Sequence, residues 1–306
     1  MLTPHVPLVL LAATLMTQAC HEPAERIADT FDAQGHRGAR GLHPENTIPG
    51  FLAAVEHGMT TLELDLAVSA DGQLVVSHEP WFNPTICELD GTGYTEDTSL
   101  YGLSYAEIAA VDCGSRGNAD YPRQRKAPAA KPLLREVVRA ADSLAAALGQ
   151  PAPRYNVELK YRDAYADTFA PPASAFASRV ADELERLGIA DRSTVQSFHP
   201  GALTQMRELR DSRPALSSLE LALLSENPLD WQTELDELGW EPEIYSPYHL
   251  LTTGGHVAGL HARGIRVVPW TVNDVTRMRA LIDRGVDGLI TDYPDRLARV
   301  LEERGM

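Results

Sequence analysis

From Ala33 to the C-terminus, short apolar runs alternate with stretches of helical hydrophobic spacing, and this alternation constrains the fold more than any other feature of the chain. Parallel strands need a long connection, and a helix packed on the sheet supplies it, so strand and helix in regular succession point to a parallel sheet. Eight runs read as strands: Gln34 to Arg37, Thr61 to Val68, Tyr155 to Lys160, Ser193 to Phe198, Leu219 to Leu224, Glu243 to Ser246, Ile265 to Thr271 and Gly288 to Thr291. Each carries polar residues at or near its C-terminal end. Eight units of this kind predict an α/β fold, a (β/α)8 TIM barrel whose active face lies at those ends. A doubly wound open sheet is the alternative for the same succession. At 306 residues and 44% apolar composition, the chain suffices for one large core.

The segment from Glu79 to Pro132 interrupts the pattern, since a connection that long inside a compact domain is usually functional. It reads as a small insertion, about residues 79–132, after the second-strand hairpin, placed beside the barrel mouth; Tyr161 to Pro172 forms a second loop at the same face. The barrel domain is thus expected over residues 33–306, preceded by a linker over 21–32 and a leader over 1–20. The leader is read from Leu8 to Met16, an apolar run too short to span a membrane, followed by Thr17, Gln18, Ala19 and Cys20. That is the pattern of a cleaved export signal. A small residue before a cysteine also resembles a bacterial lipoprotein site, which would leave Cys20 lipidated, although Thr17 stands where an apolar residue is usual and no Lys or Arg precedes the run. Export implies a periplasmic protein or a membrane-anchored lipoprotein.

Beyond the leader only Cys87 and Cys113 remain. In an oxidising compartment an even pair within one segment favours a disulfide, worth about 3 kcal/mol for a loop of that length, and the surrounding stretch, rich in Gly, Asp and Pro, shows little core of its own. Two unpaired small apolar residues are the alternative. With 27 basic against 43 acidic side chains, a net charge of −16, the chain is not expected to attract nucleic acid or anionic lipid diffusely. Any phosphate it handles must be met by a local positive site.

Such a site can be assembled from the pattern alone. Asp71-Gly72, set between alternating residues, is a two-residue hairpin signal, and counting outward from it pairs Ala70 with Gln73 and Asp65 with His78. Residues two apart on a strand share a face, so Glu63 joins Asp65 there. Paired carboxylates repel unless a cation or a proton lies between them. Glu158, in the strand that also carries Asn156 and Lys160, is placed to supply a third carboxylate. All-oxygen ligation suits a hard cation, Ca²⁺ or Mg²⁺, better than zinc; ion pairing of these acids with Lys or Arg is the bland alternative. Lys160 and Arg37 are candidate phosphate ligands beside the metal. His36, at the end of the first strand in Gly35-His36-Arg37-Gly38, and His78 suit acid and base roles on its flanks. Of the other histidines, only His199 stands at a strand end where ligand contact is plausible.

These residues fall into motifs: His36-Arg37-Gly38, Pro44-Glu45-Asn46-Thr47 with Phe51, Glu63-Leu64-Asp65, His78-Glu79, Glu158-Leu159-Lys160, Trp270-Thr271-Val272-Asn273 and Thr291-Asp292-Tyr293-Pro294. In this order and spacing the sequence resembles the glycerophosphodiester phosphodiesterases, over nearly the whole span from Gly35 to Pro294. One departure is Glu79, where the family often has Asp. The resemblance implies a barrel in which Glu63, Asp65 and Glu158 bind a divalent metal, His36 and His78 form the acid-base pair, and Arg37 and Lys160 hold the phosphate. It implies hydrolysis of a small-molecule glycerophosphodiester to sn-glycerol 3-phosphate and an alcohol. A substrate hydroxyl would attack phosphorus to give a cyclic intermediate that water opens, with the leaving alcohol protonated by a histidine. Trp270 is expected as a wall for glycerol carbons, with a core tryptophan as the plainer reading; Glu45 and Asn46 are expected to close around the first-strand loop, as supports or as ligands. A phospholipase acting on lysophospholipids or phosphoinositides, and a non-catalytic exported phosphodiester-binding protein, are the alternative functions. A lipid anchor at Cys20 would keep any of these near a membrane.

Overall fold

In the computed structural model, residues 31–226 and 230–306 are described; the leader, Cys20 and the linker up to Thr30 lie outside them. The chain opens with β1 (Asp32–Gly35), α1 (Ile48–Glu56), β2 (Thr61–Val68) and β3 (Leu74–Val76). The short α2 (Tyr105–Ile108), α3 (Leu134–Leu148), β4 (Arg154–Leu159) and α4 (Ala173–Leu187) follow. Then come β5 (Ser193–Ser197), α5 (Pro200–Ser212), β6 (Glu220–Ser225), α6 (Trp231–Leu238) and β7 (Ile244–Pro247). The chain ends with α7 (Gly254–His261), β8 (Arg266–Val267), α8 (Val275–Asp283), β9 (Gly288–Thr291) and α9 (Pro294–Glu302).

Eight strands run parallel in the order β8-β7-β6-β5-β4-β2-β1-β9, with β3 antiparallel on β2. Between the end strands the backbone closes the ring through Asp287 N–H to Val267 O (2.9 Å) and Ile290 N–H to Pro269 O (3.0 Å). The fold is therefore the nearly closed (β/α)8 barrel that the alternating pattern predicts. Helix α3 shows how the outer layer forms: Leu134, Val137, Val138, Ala141 and Ala145 make one buried stripe at helical spacing, and Gly149, at φ 68°, ends the helix in a conformation that costs glycine little. Leu62, Leu64 and Leu66 of β2 pack into the same large cluster, so their neighbours Glu63 and Asp65 point to the barrel interior.

Thr61–Val68 and Gly288–Thr291 match the sequence expectation and the other strand ends shift by one or two residues, except β8, which ends four residues early; two of the differences have clear physical causes. β1 stops at Gly35 because Arg37 and Gly38 take positive φ (49° and 83°) and swing the chain away from the ladder. The seven-residue run from Ile265 to Thr271 forms only the two-residue ladder β8, since Pro269 has no N–H to offer; the chain continues irregularly through Val268 N–H to Tyr245 O (3.1 Å) and Trp270 N–H to Pro247 O (3.0 Å).

The insertion departs from expectation in having a core. Phe82, Ile86, Leu100, Ile108 and Val111 are buried against Ala67 and Val75 of the hairpin and Leu133, with Cys87 and Cys113 at their centre, joined by a disulfide (S–S 2.07 Å). These apolar residues follow neither a period of two nor of 3.6, so pattern reading passes over them.

Candidate active site

Strand alternation and register together build the acidic centre. On β2, Glu63 and Asp65 face inward, and the parallel neighbour β4 sets Glu158 opposite Asp65 and Asn156 opposite Glu63. One oxygen from each of Glu63, Asp65 and Glu158 then lies within 4.8 Å of the others, all three side chains buried. Burial, and next the charges of Asp65 and Glu158, push Glu63 well above the ordinary carboxylate range. Burial also raises Glu158, against the pull of Lys160. Asp65 goes the other way: burial would raise it, but His78, Arg37 and Lys160 outweigh that and hold it low. Without a cation the protonated form is favoured at Glu63.

The cationic side chains relieve this only in part. Lys160 Nζ sits 2.8 Å from Glu158 Oε1 and 3.8 Å from Asp65 Oδ1. Arg37 gives its Nη1 to Glu45 (2.7 Å), its Nε standing 3.5 Å from Asp65 Oδ2. Asp65 Oδ1, Arg37 Nε and Asn46 Oδ1 are buried without a hydrogen-bond partner. A buried carboxylate oxygen left open among three oxygen donors fits a hard divalent cation. Glu45 and Asn46 act as supports: Glu45 clamps Arg37 and Arg40 (2.7 and 2.6 Å), and Asn46 donates to Asp65 Oδ2 (2.8 Å).

The hairpin places His78 differently from the sequence count. Ser69 N–H bonds Gln73 O (3.1 Å) and Gly72 N–H bonds Ser69 O (2.9 Å), with Gly72 at φ 75°: a three-residue loop, Ala70-Asp71-Gly72, in place of the expected two. The register moves by one, so Asp65 faces Ser77, whose N–H donates to Asp65 O at 2.9 Å, and not His78. The Ser69 hydroxyl, which accepts from Gln73 N–H and donates to Asp71, stabilises the longer loop. His78 comes one residue past the last pair and still lines the central cavity, its Nδ1 held 2.8 Å from Glu79 Oε1. Burial would raise Glu79, but its bond to His78 and the charges of His78 and Lys131 bring it to about 2. Lys131 is itself buried, donating to the Ser77 hydroxyl at 2.8 Å.

His36 follows β1. Its Nδ1 lies 2.6 Å from Asp292 Oδ1, leaving Nε2 toward the acids, 3.9 Å from Glu63 Oε2. Burial lowers the pKa of this ring and Asp292 only partly offsets the shift, so the neutral imidazole is favoured. Asp292 Oδ2 accepts from Asn273 Nδ2 (2.6 Å) and from the Tyr121 hydroxyl (3.3 Å), which the insertion brings across the mouth. Trp270 is packed on one side and open to the cavity on the other: Nε1 donates to Ser246 O (2.8 Å), its ring packs against the small cluster of Ala222, Ile244, Val268 and Ile290, and it lines the cavity edge-on to Phe198 (5.4 Å). His199 also lines the cavity, as its place at a strand end suggests; its Nδ1 accepts Ala202 N–H (3.0 Å) as the cap of α5, and its Nε2 faces Asp163.

His36, Arg37, Glu63, His78, Glu158, Lys160 and Trp270 thus share one cavity of 710 Å³, with Asp65 buried beneath it. The sequence places Asp292 in a motif without assigning it a role, and does not single out Gln196, Tyr121 or Lys131. Asp292 carried a signal, a carboxylate at the end of β9; Tyr121, in an aperiodic loop, carried none.

The glycerophosphoryl diester phosphodiesterase family model matches residues 36–296. A glycerophosphodiester phosphodiesterase of Bacillus altitudinis is 29% identical over 280 residues, covering 88% of this chain and 97% of that one. A solved structure from Silicibacter pomeroyi is 30% identical, with a TM-score of 0.77 over 90% of this chain and 95% of its own. An Oleispira antarctica phosphodiesterase, solved with the product sn-glycerol-3-phosphate, shares the fold at 21% identity, with a TM-score of 0.68 over 89% of this chain and 96% of its own.

Proposed function

We propose, since the chain belongs to the glycerophosphoryl diester phosphodiesterase family and is a glycerophosphodiester phosphodiesterase, that it releases sn-glycerol 3-phosphate and an alcohol by metal-assisted acid-base catalysis at the Glu63–Asp65–Glu158 centre. The product bound by the Oleispira antarctica enzyme supports this choice of product. The carrying observation is the convergence of three buried carboxylates and two histidines, each backed by its own carboxylate, on one cavity.

Glu63, Asp65 and Glu158 would hold Ca²⁺ or Mg²⁺, which when bound cancels charge on a phosphate oxygen. Lys160 and Arg37 flank the same place and offer N–H donors to the phosphate. His36, with Nδ1–H given to Asp292, presents the Nε2 lone pair and takes the proton from the substrate hydroxyl that attacks phosphorus. His78, its Nδ1 held by Glu79 Oε1, faces the cavity and delivers a proton to the departing alcohol oxygen. The cyclic phosphodiester so formed is opened by water with the two histidines in exchanged roles. Trp270 and Phe198 supply an apolar wall for glycerol carbons.

The export reading rests on the leader, and a periplasmic or lipid-anchored placement through Cys20 remains part of the proposal; the buried Cys87–Cys113 disulfide supports an oxidising compartment. No helix among the described residues is long and apolar enough to cross a membrane. The test is hydrolysis of glycerophosphocholine and related glycerol phosphodiesters with and without chelator, scored by glycerol phosphate release. Undiminished turnover in chelator, or release of free glycerol with a phosphorylated head group, would overturn the proposal.

A further inference from the structure

Four uncharged or acidic side chains inside the barrel form a continuous chain of hydrogen bonds that ends on Glu63. Asp32, the first residue of β1, lies at the end of the barrel away from the active face and accepts Gln34 Nε2 at 2.7 Å. Gln34 Oε1 accepts Asn156 Nδ2 (2.8 Å), Gln196 Oε1 accepts the same Asn156 nitrogen (3.0 Å), and Gln196 Nε2 donates to Glu63 Oε1 (2.9 Å). All five side chains are buried, none more than 7% exposed.

The chain has a fixed polarity, with donors running outward from Asn156 to both ends. With Glu63 ionised, as a bound cation requires, a carboxylate at each end offers only acceptors, so both glutamines must turn their N–H₂ groups outward and their oxygens inward, toward Asn156. One nitrogen with two hydrogens must then serve both sides. Asn156 does this at the cost of its own Oδ1, which is buried with no hydrogen-bond partner. Flipping that amide would satisfy nothing and would set three oxygens together, so the orphaned atom is the mark of a direction imposed from the ends.

We infer that Gln34, Asn156 and Gln196 form a ladder of fixed polarity, donating outward from Asn156 and anchored on Asp32, that positions the Glu63 carboxylate for a bound cation. The backbone N–H of Arg37 donates to Glu63 Oε2 at 2.8 Å, so each oxygen of Glu63 is held by one neutral donor and keeps a second lone pair for the ion. Asp32, Gln34, Asn156 and Gln196 are positioning residues; none of them is a ligand. The inference rests on the metal reading above and assigns these side chains a part in it.

The test is calorimetric titration of the metal-stripped full chain with Ca²⁺ and with Mg²⁺, alongside thermal melting without metal. Gln196→Met keeps the bulk but removes the donor, and metal affinity is expected to fall roughly 10- to 100-fold. Asp32→Asn is the sharper test: an amide there can donate to Gln34 Oε1 and let the ladder reverse, so affinity falls although the change lies at the far end of the barrel. Thr61→Val removes a hydroxyl donor to Asp32 (2.5 Å) without reversing anything, so it should lower the melting temperature and leave affinity within about twofold. Unchanged affinity in Gln196→Met, or in a folded Asp32→Asn protein, would overturn the ladder, as would an equal loss in Thr61→Val. If Asp32→Asn does not fold, Gln196→Met decides. Absence of binding by the unaltered protein would overturn the metal reading together with this inference, an outcome distinct from binding that the variants leave untouched.

Discussion

Replacing Asp292 by Asn changes two atoms' worth of chemistry and should nearly abolish turnover, because the surrounding hydrogen bonds dictate how the new amide must sit. Asn273 Oδ1 accepts the backbone N–H of residue 292 (3.0 Å), which can only donate, so Asn273 must turn its Nδ2 toward the 292 side chain (2.6 Å). The Tyr121 hydroxyl also points there. The amide of Asp292→Asn must therefore give its oxygen to Asn273 and Tyr121 and present N–H₂ to His36 Nδ1. An N–H facing Nδ1 forces that nitrogen to accept, moves the ring proton to Nε2, and removes the lone pair the proposed base needs. Enforcing the wrong tautomer of a catalytic histidine costs on the order of 10⁴ in kcat, about 5 kcal/mol of transition-state stabilisation. The assay is initial-rate hydrolysis of glycerophosphocholine at saturating metal, with circular dichroism to confirm folding and calorimetry to show that metal affinity is kept. A folded Asp292→Asn protein retaining more than about a tenth of the kcat would refute the tautomer argument.

Three further outcomes are expected. Chelation should eliminate activity and Ca²⁺ or Mg²⁺ restore it, and Glu158→Gln, which removes one anionic ligand, should weaken metal binding measured by calorimetry, while equal affinity would remove Glu158 from the ligand set. Breaking the disulfide by Cys87→Ser with Cys113→Ser releases a loop with a sequence separation of 26 and should destabilise the insertion by about 3 kcal/mol, read from denaturant unfolding; an unchanged midpoint would show that the local apolar cluster alone holds the segment. Asp112 accepts the N–H groups of Gly114, Ser115 and Ala129, and although its burial acts to raise it, the Ser115 hydroxyl and then these N–H bonds bring it down to about 2. A carboxyl depressed in the folded state stabilises above its unfolded value near 4 and loses that contribution as pH falls toward 2, so the melting-temperature gap between the wild-type protein and Asp112→Asn should narrow over that window, and a constant gap would count against the capping role.

The placement of Glu63 with Asp65, and of both within reach of a histidine from the following turn, was legible from a few residues, because strand alternation is local and needs no partner. The register of that hairpin was not: whether Asp71-Gly72 makes a two- or a three-residue loop depended on the Ser69 hydroxyl bonding Gln73 N–H and Asp71, a side-chain choice that the alternation pattern does not carry. His78 nevertheless arrives at the cavity, since the residue after the last pair is free to turn inward.

By itself the sequence determined the succession of strands and helices, hence the barrel, and the side chains each strand end offers to the mouth, because hydrophobic period and strand direction are properties of short segments. Only the tertiary structure decided which of them meet. Glu158 stands beside Asp65 through the β2–β4 register, Asp292 orients His36 from 256 residues away, and Gln196 reaches Glu63 across a separation of 133. Those partnerships follow from strand order and ring closure, which bring distant segments together at one face, and no local pattern records the neighbour a strand will have.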